Sequence, residues 1–458
     1  MMDNIMKDLV FSWKTHKSFN SSQSIFDWLT ERNEKLKVEI SKITLEESEP
    51  WYYDSTTGSI TNRNRSFFKI CGIQQYMNGS LKVEQPIIIQ DEIGFLGIIC
   101  CKIDGVVHFL MQAKIEPGNI NKIQISPTIQ ATKSNFMQKH GGRRPAFLDH
   151  FINATPAQIL VDQIQSEQSS RFLKKRNRNV ILILDEPVDE LPTHRWMTLG
   201  QIKALMRHDN LVNMDTRTVL SCIPFAFMEQ DELEIIECKD KALLLSLAGL
   251  ADQRVLTKIY HTFNNYKMFS DVETKLIDLY SLEHWYMKDS AFICDHPHPF
   301  RVIFCNITIE GREVRAWTQP LFEATGKATF GLLSCNDGGV KKFLVKAKSE
   351  IGCFDGIELG PTVQQEAVHN KDEDKVIALF FNKLSARKGI VIDVMLSEEG
   401  GRFYHEENRN VIIEINKNEL PELLPGYFWS DFKTLNTLTQ VNNCLNIQLR
   451  NLLSLLEV

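Results

Sequence analysis

The sequence predicts an α/β (α+β) protein made of one module used twice, each copy a mixed sheet flanked by helices. Two internal repeats and an alternation of strand and helix texture predict it. Gln85-Pro86, Gly97, Cys101, Gly105-Val106, Phe109-Leu110, Ala113-Lys114, Glu116, Gly118, Ile123, Pro127-Thr128 and Gln130 return 234 positions later, from Gln319-Pro320 to Gln364. That is 16 identities in 46 ungapped positions. A second block, Ser166-Glu167, Arg171-Phe172 and Asn177-Arg178-Asn179-Val180, returns at an offset of 231 as Ser397-Glu398, Arg402-Phe403 and Asn408-Arg409-Asn410-Val411. Solenoid repeats run about 20–50 residues, so two units of this size read as a tandem duplication of a globular module. Each is long enough to bury its own core. The expected modules are residues 1–224 and 225–458.

Residues 1–50 read as amphipathic helix, with Ile25, Trp28-Leu29 and Leu36 near helical spacing. Val272, Leu276, Leu279 and Leu282 give the second copy a matching lead-in. After Trp51 the texture becomes short strands. Ile87 to Ile103 is apolar and β-rich, broken by Gly94 and Gly97, and reads as a buried strand pair. Val106 to Glu116 is the clearest strand. Pro117 to Pro145 is rich in Gly, Asn, Ser, Pro and Thr, and irregular stretches of that length are usually functional. Gln158 to Gln168 reads as helix, Asn179 to Leu184 as strand, and Leu199–His208 and Asp215–Cys222 as helices. The second copy repeats this order and ends on helices over Ser430–Leu438 and Leu445–Leu456.

Composition is that of an ordinary soluble chain, with 43% hydrophobic and 24% charged residues. A net charge of −6 argues against nucleic acid as the main partner. The longest apolar run, Ala242–Ala251, falls far short of the ~20 residues of a membrane span, so no membrane partner is expected. Ten cysteines without C-x-x-C spacing read as reduced thiols, and the N-terminus lacks a signal-peptide pattern, so a cytoplasmic location is expected.

Side chains of a strand alternate between two faces. Along Val106–Glu116 one face carries Phe109, Met111, Ala113 and Ile115, a core face. The other carries His108, Leu110, Gln112, Lys114 and Glu116, which is either a solvated sheet face or the floor of a pocket. The polar stretch that follows favours the pocket, supplying Asn119, Ser126, Thr128, Gln130, Thr132, Ser134, Asn135, Arg143 and Arg144. Arg171 and Arg178 survive in both copies and read either as phosphate ligands or as structural ion pairs; Trp51 could stack a nucleobase or fill the core. Lys114 and Glu116, also shared, could equally form a structural ion pair. Cys294-Asp295-His296-Pro297-His298 reads as a turn, since no second cluster completes a four-ligand metal set. P-loop, G-x-G-x-x-G, H-E-x-x-H and G-x-S-x-G patterns are absent.

The segments Leu110–Asn119, Ser126–Asn135 and Asn213–Cys222 resemble the NDP-hexose 2,3-dehydratase family, and the resemblance extends over nearly the whole chain. It implies two Nudix-hydrolase-like modules in a homodimer, and two nucleotide-sugar pockets per subunit, one of them vestigial. The Nudix box of clustered glutamates is missing here, and where the first copy has Glu116-Pro117-Gly118 the second reads Glu350-Ile351-Gly352. The second pocket is therefore expected to be the degenerate one. The implied substrate is a dTDP-4-keto-6-deoxyhexose; the reaction requires no redox cofactor, no metal ligands are assigned and a divalent-metal requirement stays open, and the lability of the diketo product leads to the expectation of a 3-ketoreductase downstream. The strand geometry then offers His108, Lys114 and Glu116 as acid and base without a fixed order, Gln112 or Lys114 for the enolate oxygen, and Arg143, Arg144 and Arg178 for the diphosphate. Two other functions stay open: a Nudix-like nucleotide-sugar pyrophosphatase, and a non-catalytic nucleotide-sugar-binding protein.

Overall fold

A computed structural model describes residues 2–16, 18–64, 67–136, 144–229, 238–310, 314–368 and 374–458. Two seven-stranded mixed sheets dominate it. The first has the order Ile159–Ser166, Arg176–Leu184, Gly94–Ile103, Val106–Ile115, His194–Thr198. The second has the order Ile390–Ser397, Glu407–Glu414, Thr329–Asp337, Val340–Lys348, Tyr427–Asp431. In each sheet one neighbouring pair runs parallel and the others antiparallel. Each also carries two short strands, Ile123–Ser126 with Ile129–Ala131 and Glu358–Gly360 with Val363–Gln365. The repeat seen in the sequence thus corresponds to a repeat of strand order.

The two copies are joined by exchanged strands. Val38–Ile43, from the first copy, pairs antiparallel with Phe300–Ile309 of the second, Val38 opposite Ile309. Val272–Ile277, from the second, pairs with Lys69–Met77 of the first, Val272 opposite Met77. The helices Met214–Ser221 and Ile447–Ser454 pack on each other, and each sends a fully buried arginine across. Arg217 donates to the Ser397 carbonyl at 2.8 Å, and Arg450 donates to the Ser166 carbonyl. Ser397 and Ser166 open the equivalent loops that cross between the copies.

Several expectations change here. The lead-in helices are Met2–Lys14 and Ser22–Lys35, but the chain then turns into the exchanged strand Val38–Ile43. In the second copy the lead-in helix is Gln253–Phe269, and Val272–Ile277 is the exchanged strand. Ile87–Ile103 is not a strand pair. Ser80–Ile89 pairs with Lys69–Met77, whereas Gly94–Ile103 joins the main sheet. Gln158–Gln168 is not a helix but the edge strand Ile159–Ser166. Its register shifts between Ile159 and Val161, and this bulge breaks the alternation that marks a strand. All ten cysteines are thiols, eight of them buried. No helix among the described residues is long and apolar enough to cross a membrane.

Candidate active site

The strand Val106–Ile115 delivers Lys114, and the turn after it delivers Glu116. Lys114 Nζ lies 3.4 Å from Glu116 Oε1 and donates to the Gln130 carbonyl at 3.4 Å. The Gln130 amide donates to Glu116 Oε1 at 3.0 Å, and the Asn213 amide donates to Gln130 Oε1 at 3.3 Å. The second copy builds the same frame: Lys348 donates to the Gln364 carbonyl at 3.2 Å, Gln364 to Glu350 at 2.9 Å, and Asn446 to Gln364 at 2.9 Å. The shared Lys–Glu–Gln–Asn frame therefore does not distinguish the two pockets.

What distinguishes them comes from the opposite copy. The Gly118 N–H donates to the Gly400 carbonyl at 2.7 Å, and the His405 N–H donates to the Gly118 carbonyl at 2.9 Å. A Cβ on Gly118 would lie 1.6 Å from the Phe403 carbonyl oxygen, so only glycine allows this approach. The loop 397–406 is thereby clamped beside Glu116. It brings Glu399, whose Oε1 accepts the Gly401 N–H at 2.8 Å. It also brings Arg402, which bonds Gln90 at 3.2 Å and lies over the rings of Phe67 and Phe68 at 4.3 and 4.6 Å. Burial pushes the Glu399 carboxyl up to about 7, the Glu116 charge adds to the rise, and Arg402 opposes it. Asp215, buried at the start of the Asn213-capped helix, is raised well above the usual carboxylate range by burial, with Glu167, Glu399 and Glu116 adding to it. Burial lowers Lys175 to about 8.

On the second pocket the loop 166–175 makes the mirror approach, the Gly352 N–H donating to the Ser169 carbonyl at 2.8 Å. Its residues differ. Gln168 stands where the other loop has Glu399, and Gln448 where the other helix has Asp215. Arg171, the counterpart of Arg402, is buried and held by Glu366 at 3.1 Å and Glu406 at 3.7 Å. The first copy has Thr132 and Lys175 at the positions of Glu366 and Glu406. Arg171 therefore has its charge met by two carboxylates.

The remaining sequence-predicted residues separate into groups. His108 does not join Lys114 and Glu116. At ~3.3 Å per residue it lies some 20 Å back along the strand from Lys114, buried, with Nδ1 bonded to the Val106 carbonyl at 2.8 Å. Leu110 beside it is closed over by Trp196, Ile99 and Cys101. The strand's polar face is thus closed over by apolar side chains toward its His108 end. Gln112 is half-buried between these ends, its carbonyls facing Ser126 Oγ at 3.3 and 3.5 Å. Thr128 is structural: it accepts the Ile99 N–H at 3.0 Å and donates to the Leu110 carbonyl, as Thr362 does with Leu333 and Leu344. Trp51 is core, packed on Phe68 with its indole N–H on the Thr318 carbonyl at 2.8 Å. Arg178 is exposed and bidentate to Asp162 at 2.7 and 2.6 Å, and Arg409 repeats this on Asp393. Arg144 is exposed and paired with Asp149, and Arg171 faces the second pocket. Asn119 is buried against Gly400; its amide donates to the Lys122 carbonyl at 2.9 Å, and its Oδ1 has no hydrogen-bond partner among the described residues. Thr132 is half-buried. Arg143 and the side chains of Ser134 and Asn135 lie outside the described residues. His284, Asp295 and His296 gather their donor atoms within 4.8 Å of one another at the surface, a juxtaposition the sequence turn did not reveal.

The family model for NDP-hexose 2,3-dehydratase matches residues 22–223 and again 256–456. The chain belongs to the NDP-hexose 2,3-dehydratase family. Among curated relatives, a dTDP-4-dehydro-6-deoxy-alpha-D-glucopyranose 2,3-dehydratase of Saccharopolyspora spinosa is 36% identical over 94% of this chain and 90% of its own. Proteins of the same name from Streptomyces violaceoruber and Amycolatopsis orientalis are 35% and 33% identical, over 93% and 94% of this chain and 95% and 89% of theirs. The two family matches bracket the two halves of the fold, each containing one Lys–Glu–Gln–Asn frame. Sequence reasoning missed Glu399, which reaches the first copy's frame on a loop of the second copy, and the buried first-copy residues Glu167 and Lys175 near it. The signal available was the repeated Ser-Glu pair, after which the copies diverge to Gln168 and Glu399.

Proposed function

We propose that this chain is a carbon–oxygen lyase that removes water across C2 and C3 of a dTDP-4-keto-6-deoxyhexose, giving a 3,4-diketo-2,6-dideoxy sugar nucleotide. The observation that carries it is the shared 2,3-dehydratase name of three relatives covering about 94% of the chain at 33–36% identity. The geometry supports the first pocket as the working one. The C4 ketone acidifies the C3 proton. Glu116, oriented by Lys114 and Gln130, takes that proton, and the electron pair becomes the enolate. Lys114 donates to the enolate oxygen. The enolate then re-forms the ketone, a C2–C3 double bond appears, and the C2 oxygen leaves as water once it receives a proton. The resulting enol tautomerises to the diketone. Atoms and electrons balance without an external oxidant or reductant.

The same reading places the active pocket in a module of residues 1–224 and a degenerate one in residues 225–458, each Nudix-like, in a cytoplasmic homodimer whose product passes to a 3-ketoreductase. The sheet order common to both halves supports the two modules, and the Arg171–Glu366 pair supports the loss of the second pocket. The remaining points rest on the family resemblance. Incubating the protein with dTDP-4-keto-6-deoxyglucose, without added cofactor, and following the sugar by NMR and mass spectrometry tests the reading. Loss of one water with changes at C2 and C3 is expected. Bound dTDP with an unchanged sugar would overturn it.

A further inference from the structure

Elimination needs a proton for the departing C2 oxygen, and the frame Lys114–Glu116–Gln130 accounts for the base and the enolate donor only. We propose that Glu399, carried into the first pocket on the loop 397–406 of the second copy, is the general acid that protonates the C2 hydroxyl as it leaves. The inference rests on the dehydratase reading above.

Three features carry it. The loop position is fixed by backbone bonds on both sides of Gly118 and by the absence of a Cβ there, so Glu399 stands beside Glu116 by construction. Glu399 is half-buried, whereas Asp215 and Glu167, the neighbouring carboxyls that burial also raises, are fully enclosed. An acid that must touch a substrate oxygen needs that open surface. The second pocket, with the same strand frame, has Gln168 at the equivalent position, and an amide cannot serve as a proton donor of this kind. Two neighbouring carboxyl groups, one ion-paired with a lysine and one raised by partial burial, suit opposite roles in proton transfer. Burial, which raises Glu399 to about 7, keeps a protonated fraction near neutral pH. In the step, the O–H bond of Glu399 breaks, its proton joins the C2 oxygen, the C2–O bond breaks with its electron pair, and water departs. Glu399 is left as carboxylate, to be reprotonated from solvent.

The test separates deprotonation from elimination. The full chain is incubated with dTDP-4-keto-6-deoxyglucose in D₂O, and both deuterium at C3 of remaining substrate and diketo product are followed. Glu399→Gln is expected to lose product formation by ~10² or more, while C3 exchange continues above the rate without protein. Glu399→Gln that still eliminates at near wild-type rate overturns the proposal. So does a folded, dTDP-binding Glu399→Gln that loses exchange and elimination together, or an exchange-without-elimination phenotype in Asp215→Asn instead. If Glu399→Gln does not fold, Glu399→Asp takes its place: slowed elimination with exchange retained supports the assignment, and unchanged elimination overturns it. A wild-type protein that neither exchanges nor eliminates points instead to failure of the dehydratase reading itself.

Discussion

Gly118→Ala should break the contact that builds the first pocket. Its Cβ would lie 1.6 Å from the Phe403 carbonyl oxygen and 2.8 Å from the Gly400 carbonyl oxygen, both backbone atoms that cannot rotate away. The turn after Glu116 must therefore retreat from the loop 397–406. Retreat stretches the bonds from Gly118 to the Gly400 carbonyl and from His405 to the Gly118 carbonyl, at 2.7 and 2.9 Å. Each is worth ~1 kcal/mol net, and overpacking adds ~1–3 kcal/mol, so the sum is about 3–5 kcal/mol. Urea unfolding of Gly118→Ala against Gly79→Ala measures it. Gly79 has φ 73° and nothing near its missing Cβ, so alanine there costs only local strain, ~1–2 kcal/mol. Activity should fall further than the folded fraction does, because Glu399 moves away from Glu116. A Gly118→Ala protein no less stable than Gly79→Ala, with normal turnover, would show that the Gly118 contact does not hold the loop in place.

Other perturbations follow from the same contacts. Arg171→Met leaves Glu366 and Glu406 without their guanidinium and should cost ~3–5 kcal/mol, part of it regained in the double variant with Glu366→Gln; a thermal-unfolding double-mutant cycle checks this. Thr128→Val removes two backbone bonds and should cost ~1–3 kcal/mol with an unchanged KM; a large rise in KM would return Thr128 to the substrate. Arg178→Ala, at an exposed pair, should cost under ~1 kcal/mol and leave dTDP binding by calorimetry unchanged. Glu358 is buried, its carboxyl pushed up to about 7, and the first copy has Gln124 in its place. Its folded form holds a proton that the unfolded chain releases near 4.5, so its contribution to stability falls as pH rises from about 4.5 to 7. Glu358→Gln should therefore gain on wild type across that window, by on the order of 1–3 kcal/mol, in unfolding midpoints at pH 5 and pH 8.

The legible parts of the fold were those with local causes. Val106–Ile115 showed its period of two because its core face is continuous, Phe109, Met111, Ala113 and Ile115 all buried. The helix read over Asp215–Cys222 is Met214–Ser221, one residue off at each end. Ile159–Ser166 was misread because its bulge sets Leu160 and Val161 both inward, and Ile390–Ser397 carries the same shift between Ile390 and Ile392. Val38–Ile43 was illegible for another reason: its polar Glu39, Ser41 and Lys42 are outward, and its partner strand lies about 260 residues away. At the site, the strand delivered Lys114 and Glu116 but overextended to His108, since periodicity says which face a residue takes and not how far a pocket runs along it. Arg178 is ion-paired, as its counterpart Arg409 is, and Arg171 is ion-paired too, which identity alone could not separate from phosphate binding. Glu399 was beyond reach because loop 397–406 packs against the Gly118 turn of the other copy, a contact that the order of residues along the chain does not disclose.

The central claim is that the first-copy pocket performs the elimination and the second does not. Turnover of dTDP-4-keto-6-deoxyglucose by Glu116→Gln and by Glu350→Gln, each corrected for its folded fraction, tests it most directly. These residues hold the same position in matching frames, each bonded to its glutamine at 3.0 and 2.9 Å. Glu116→Gln should lose turnover by ~10² or more, while Glu350→Gln should stay within a few-fold of wild type. The reverse pattern, or equal losses in both, would contradict it.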